Sequence, residues 1–367
     1  LAAIGSARSV LNNSTGRGPC CLGINRLQRE RDFYAYSAWC FETRPKLHAH
    51  FLFVGDTAVV ERLRRGAFAE IIQIKPGRSG RHCPRSGPAR RRSRGGSQSG
   101  PRLGFSLTPT GVHPFGTSNR LAMFGNNFLE LLAVTNVAAI PPAEGGHFNF
   151  AAHQQDFLKT AEGMSMLALH STDAHADAAR FRAMRIGAYA PFDFGRDAVL
   201  PGGGTARVAF SLAFATDAAM PGIAFFTCQQ RHPPELFWKA EYQHHPNGAL
   251  RVIEVVMSAP EPEQHRAFLE RLTESAAEHA PGQLTVGERG DRIAVLGPSE
   301  LARRLPGVAA DGSPRFCAAR LAVTDLDATR RLLKNNGVAF QLIDNALLIA
   351  PAASHGLALE FVEHEEI

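Results

Sequence analysis

The most constraining feature of this chain is the order of elements near its end. Phe316–Val323 (FCAARLAV) is a β-type apolar run, and Thr324-Asp325 supplies a cap before Leu326–Asn335, whose apolar residues recur at helical spacing. Asn335-Asn336-Gly337 is a helix stop. Three short strand-type runs follow, Val338–Ile343, Ala346–Ala350 and Leu357–Val362, separated by Asp344-Asn345 and Pro351–Gly356. A lone β-α-β-β-β unit leaves one sheet face uncovered, so a partner unit is required.

The chain supplies such partners upstream. Met164–Leu169 reads as a strand, Thr172-Asp173 caps a helix through Arg185, and Gly187 ends it. Strand-like runs follow at Ala188–Phe194, Ala206–Ala215 and Ile223–Cys228. Another copy opens at Arg251–Met257, continues through an amphipathic helix at Glu263–His279, and resumes at Leu284–Val286 and Arg292–Leu296. Its last strand is replaced or delayed by Ser299–Leu305, which reads as helix. Phe105–Thr108, Arg120–Phe124 and Phe128–Val134 make the last three strands of a first copy whose opening strand and helix are missing. The expected fold is α+β, with tandem βαβββ modules pairing into curved open-barrel cups. Residues 103–245 form the first domain (modules 1 and 2) and 246–367 the second (modules 3 and 4).

Charge separates this body from what precedes it. Residues 1–102 carry 19 Lys and Arg against 6 Asp and Glu, or +13, and the remainder carries 21 against 28, or −7. Arg81–Arg102 alone holds seven arginines and almost nothing apolar, while His50–Val54 and Ala67–Ile74 are short apolar runs without evident partners. Three readings of the leader stand: a basic arm for an anionic surface, a disordered tail, or a wrong-frame translation. The last is preferred. Codons compatible with Arg81–Pro88 permit, one nucleotide over, the strand-like Asp-Ile-Val-Leu-Val-Arg-Asp-Leu that should precede Leu103-Gly104-Phe105. An acidic body is not expected to bind nucleic acid, whatever the whole-chain pI of about 9.2 suggests.

No stretch of eighteen apolar residues and no signal-peptide pattern is visible, so a cytoplasmic protein without a membrane partner is expected. Cys228 and Cys317 lie in apolar strands and read as buried free thiols. Gly202-Gly203-Gly204 is a hairpin turn, since no Lys-Ser/Thr or helix follows it, and no nucleotide cofactor is expected. The richest polar loop runs from Cys228 through Trp238 to Gly248. It offers His232 and Glu235 for acid–base work and Gln230, Trp238 and His245 for ligand contact, or else it is an inter-domain linker whose aromatic residues fill a seam. His113, beside Pro114, Gly116 and Asn119, precedes a cup-lining strand, which makes His113 and Asn119 candidate ligand contacts.

Several βαβββ units in tandem resemble the vicinal-oxygen-chelate superfamily of glyoxalases, extradiol dioxygenases and bleomycin-resistance proteins. The glyoxalase-like-domain branch is nearest. The resemblance rests on Gly104-Phe105-Ser106-Leu107-Thr108-Pro109, His113 through Arg120 (HPFGTSNR), Asn127-Phe128-Leu129-Glu130-Leu131-Leu132, Val323-Thr324-Asp325-Leu326-Asp327 and Leu357-Ala358-Leu359-Glu360-Phe361. It implies a divalent metal (Fe, Mn, Ni or Zn) in the cup, with Glu130 and Glu360 at the fourth-strand ligand position. The first-strand position holds Ala318 in module 4 and about Met164 in module 2, so no full triad assembles. Two functions stay open: a metal-dependent lyase or dioxygenase acting on a small oxygenated molecule, and a non-catalytic binder that sequesters one. The expected partner is a small-molecule ligand, with a homodimer as the protein partner to test.

Overall fold

The computed structural model describes residues 49–55, 102–200, 203–288 and 290–365. The strands of the first sheet are β1 (Ala49–Gly55), β2 (Gly111–Val112), β3 (Thr117–Met123), β4 (Phe128–Val134), β5 (Gly163–Ser171), β6 (Phe192–Val199), β7 (Thr205–Ala215) and β8 (Ala224–Gln230). Their spatial order is β2-β3-β4-β1-β5-β8-β7-β6. Those of the second are β9 (Ala249–Ser258), β10 (Ala277–Ala280), β11 (Gln283–Glu288), β12 (Asp291–Leu296), β13 (Arg315–Val323), β14 (Gln341–Ile343), β15 (Ala346–Ile349) and β16 (Ala358–Glu363). They repeat the first order as β10-β11-β12-β9-β13-β16-β15-β14. Each quartet keeps its first strand parallel to its fourth, and two quartets join through antiparallel first strands, β1 with β5 and β9 with β13. The fold is α+β, built of βαβββ modules paired into open, curved sheets. No described helix is long and apolar enough to cross a membrane.

The helices are α1 (Phe150–Phe157), α2 (Ala174–Ala183), α3 (Pro234–Phe237), α4 (Arg266–Thr273), α5 (Pro298–Arg304) and α6 (Leu326–Asn335). α2 begins where Asp173 accepts from the His175 and Ala176 N–H groups, and α6 where Asp325 accepts from Ala328, so both expected Asp caps form.

The differences from expectation have local causes. His50–Val54 is not unpartnered: β1 lies parallel to β4, with His50 beside Phe128 and Leu52 beside Glu130, and fills the opening-strand place thought missing. The other readings of residues 1–101, including Ala67–Ile74 and the arginine-rich stretch, lie outside the described residues. Phe105–Thr108 is not a strand; Phe105 instead packs edge-on against Phe124 and His245. The helix expected over Glu263–His279 stops at Thr273, where Glu274 turns left-handed (φ 55). The freed Ala277–Ala280 pairs with β11, so module 3 has all four strands and α5 follows them.

Side-chain alternation sorts the apolar residues into three cores. Between the sheets lie Phe225, Phe268, Phe316, Val255 and Met257 among others. Inside the first sheet's curve lie Phe115, Phe128, Phe150, Phe210, Phe226 and Phe237, and inside the second's Val256, Ala294, Leu301, Leu305 and Ala318. Asn127 stitches the sheets by mimicking a strand partner, donating to Val252 O (2.8 Å) and accepting from Val252 N (3.1 Å). Cys228 and Cys317 are buried free thiols, and burial pushes each up to about 12.

Candidate functional site in the first cup

Strand β4 reads Phe128-Leu129-Glu130-Leu131-Leu132, and a period of two sends Phe128, Glu130 and Leu132 into the cup. Strand β8 likewise turns Phe226, Cys228 and Gln230 inward, while Phe225 goes to the seam between the sheets. The first sheet curls until its edge strands β2 and β6 come alongside. At that approach a Cβ on Gly111 would lie 2.6 Å from Asn119 Oδ1 and 2.8 Å from Arg196 Cζ, so a side chain there would have to displace both groups. The pocket is half open, its empty space with the open mouth counted is about 550 Å³, and seven phenylalanines line it: Phe115, Phe128, Phe150, Phe194, Phe210, Phe226 and Phe237. Phe194 stacks on Phe210 (centroids 5.2 Å apart), and Phe115 meets Phe194 edge-on (5.1 Å).

The polar groups of this pocket are Glu130, Asn119, His113, Arg196 and Gln230. Asn119 Nδ2 donates to Glu130 Oε1 at 2.6 Å. Burial still dominates at Glu130, raising its pKa from 4.5 to about 7 against the opposing pull of Asn119 and Arg196. His113 is buried, shares a hydrogen bond with Thr117 Oγ1 through Nδ1 (2.8 Å), and stacks on Phe115 (5.0 Å). Burial and the Arg196 charge lower its pKa to about 3, so it is neutral at physiological pH. Its loop depends on Gly116 (φ +90), where a Cβ would lie 2.4 Å from Asn136 O. Trp238 Nε1 donates to Gln230 Oε1 (3.0 Å), which turns the Gln230 amide NH₂ away from the indole, with no acceptor for it among the described residues.

Of the residues singled out from sequence, Glu130, His113, Asn119 and Gln230 therefore meet in one pocket, with Trp238 directly behind Gln230. The other four do not. His232 backs the wall, its ring against Phe210 (5.1 Å) and Phe237 (5.8 Å) and its Nδ1 bonded to the Ala209 backbone. Glu235 is exposed in the first turn of α3, where its charge suits the helix start. His245 is consumed in the seam: Nδ1 accepts from Ser106 N–H (3.0 Å), so Nε2 carries the proton and donates to Met123 O (2.6 Å). Glu360 belongs to the second cup, where Arg304 Nη2 lies 2.9 Å from its carboxylate.

Arg196 is the pocket residue that sequence reasoning missed. Its Nε is buried without a hydrogen-bond partner among the described residues. The signal was present in β6, Phe192-Asp193-Phe194-Gly195-Arg196, where alternation places Arg196 on the same face as two cup phenylalanines.

The side chains present do not fit a divalent metal. Among the described residues no three His, Cys, Asp or Glu side chains converge. In the first cup Glu130 stands in the field of a cation already in the pocket, Arg196, while His113 is turned to Thr117 and Cys228 stays a protonated thiol. In the second the guanidinium of Arg304 fills the place beside Glu360.

The paired βαβββ modules around a cup define a protein of the vicinal-oxygen-chelate type. A glyoxalase-like domain family matches residues 90–273, half of the chain, and the chain belongs to that family. A hypothetical protein from Staphylococcus aureus shares the fold at 13% identity and a TM-score of 0.55, over 86% of this chain and 98% of its own. A xylose isomerase-like TIM barrel/4-hydroxyphenylpyruvate dioxygenase fusion protein is similar at 13% identity and a TM-score of 0.48, over 89% of this chain and 49% of its own. A mutant of 4-hydroxymandelate synthase from Streptomyces coelicolor is similar at 11% and 0.42, over 70% and 85%. No curated protein matches significantly.

Proposed function

We propose that the first cup binds a small molecule with an aromatic or bulky apolar body and an oxygen-bearing head. One observation carries this reading: seven phenylalanines meet the Glu130–Asn119 pair inside a single open pocket. The rings supply most of the affinity by burying the body. Asn119, Gln230 and Arg196 set the orientation, and Arg196 is the natural partner of an acidic head because a guanidinium offers a planar fork of donors. A second reading, metal-free proton transfer, is favoured by the position of Glu130 near neutrality, where a carboxylate can both take and return a proton.

Calorimetric titration of the full chain with phenylacetate, phenylpyruvate and the neutral 1-phenyl-1,2-ethanediol tests the binding. At least one of the three is expected to bind one per chain. For an acidic guest, Arg196→Met is expected to weaken binding by about tenfold or more, equivalent to losing one charge-assisted contact. Absence of binding by all three, or an acid whose affinity ignores Arg196, overturns the reading. Proton transfer has its own readout, exchange of the benzylic hydrogens of phenylpyruvate in deuterated buffer, lost in Glu130→Gln.

A further inference from the structure

We propose that the second cup is an oxyanion site centred on Arg320, suited to a small carboxylate or phosphate group. Strands β12, β9, β13 and β16 lie side by side, and their register sets Arg292, Glu254, Arg320 and Glu360 in one row across the sheet. Residues directly opposite on neighbouring strands share a face. Arg304 enters this row from α5. Arg292 pairs with Glu254, and Arg304 reaches both Glu254 and Glu360, the latter at 2.9 Å. Three guanidinium groups thus face two carboxylates, and both carboxylates are taken. Arg320 is left half-buried, with no hydrogen bond or ion pair among the described residues.

That unanswered cation faces an open pocket of about 780 Å³, mouth included, which Arg292, Glu254 and Arg251 also line. Arg251 is balanced by Asp291 at 2.8 Å, though its Nε is buried and unpartnered among the described residues. Glu363, His364 and Glu365 stand at the rim. All three are exposed, and the Glu363 carboxylate accepts from the Leu326 N–H at the start of α6 (2.7 Å). Water and salt screen exposed charges far more than half-buried ones, so the rim does not offset the floor. An oxyanion on Arg320 balances three cations with three anions and can accept two parallel N–H bonds from one guanidinium. Every residue in this argument is separate from the first cup, so the two proposals stand or fall apart.

The test is titration of the full chain, at low ionic strength and neutral pH, with inorganic phosphate and separately with succinate. One probe or both is expected to bind one per chain, which also tells a phosphate site from a carboxylate site. Arg320→Gln is expected to weaken that binding about tenfold or more, while Arg196→Met leaves it unchanged. If Arg320→Gln fails to fold, Arg320→Lys, which keeps the charge and loses the fork, carries the test with an expected loss of about fivefold. Failure of both probes to bind overturns the proposal. So does binding indifferent to Arg320, or binding abolished by Arg196→Met.

Discussion

Arg304→Met is expected to destabilise the chain by about 3–5 kcal/mol, the usual cost of removing one partner from a buried ion cluster. Glu254 and Glu360 are 2% and 4% exposed, and their carboxylates meet at the Arg304 guanidinium. Taking that cation away leaves two carboxylates together in the second cup, with Glu254 still held by Arg292 and Glu360 without an ion pair among the described residues. The loss is electrostatic rather than one of packing, because methionine replaces most of the stem. Adding Glu254→Gln and Glu360→Gln to the same protein should therefore recover most of the stability. Urea unfolding of the single and triple variants reads both numbers. A triple variant no more stable than the single one would show that α5 is held by its Leu301 contacts and that the ion cluster contributes little.

Glu130→Gln is expected to behave in the opposite way, by a margin that grows as pH rises from 4.5 to about 7 and then levels off. Burial raises the Glu130 pKa from 4.5 to about 7, so the folded chain holds this proton more tightly than the unfolded one. The resulting stability is fully present below pH 4.5 and is lost as pH rises through 7. By pH 8 the wild type carries a penalty on the order of 3 kcal/mol for a buried negative charge that the Gln variant lacks. The variant should match the wild type at pH 4.5 and exceed it at pH 8. His113 works against Glu130 in the wild-type curve: its pKa is lowered from 6.5 to about 3, so its contribution is present above 6.5 and lost as pH falls. Asp291, raised to about 6, adds to the Glu130 trend. Both groups are common to the two proteins, so the difference in unfolding free energy across pH isolates Glu130. A difference that does not change between pH 4.5 and 8 would place the Glu130 pKa in the ordinary carboxylate range.

The parts of the fold that were legible in sequence are those whose signals are local. The bounds of α6 follow from an Asp cap, a helical apolar period and an Asn-Gly stop within thirteen residues. Glu130 stood out because a carboxylate inside an apolar strand demands a partner, and Asn119 provides it across the β3–β4 pair. The groups that lie away from the first pocket have partners from far along the chain. Glu360 shows the same strand pattern as Glu130, yet its partner is a guanidinium 56 residues upstream. Nothing near Glu360 announces Arg304. His245 sits in the loop that promised the most chemistry, but Ser106 and Met123 occupy both its ring nitrogens. The two module-linking helices then make the cups differ. In the first cup α1 adds Phe150 to an apolar wall, and in the second α5 adds Arg304 to a charged row.

The most direct measurement is a crystal structure of the full chain with the tightest-binding aromatic acid of the titration panel. The guest's ring is expected among Phe115, Phe194 and Phe210, with an acid oxygen within hydrogen-bonding distance of Arg196, Asn119 or Glu130. A guest found outside the first cup, or one joined to Glu130 through a metal ion, would overturn the assignment of the first cup.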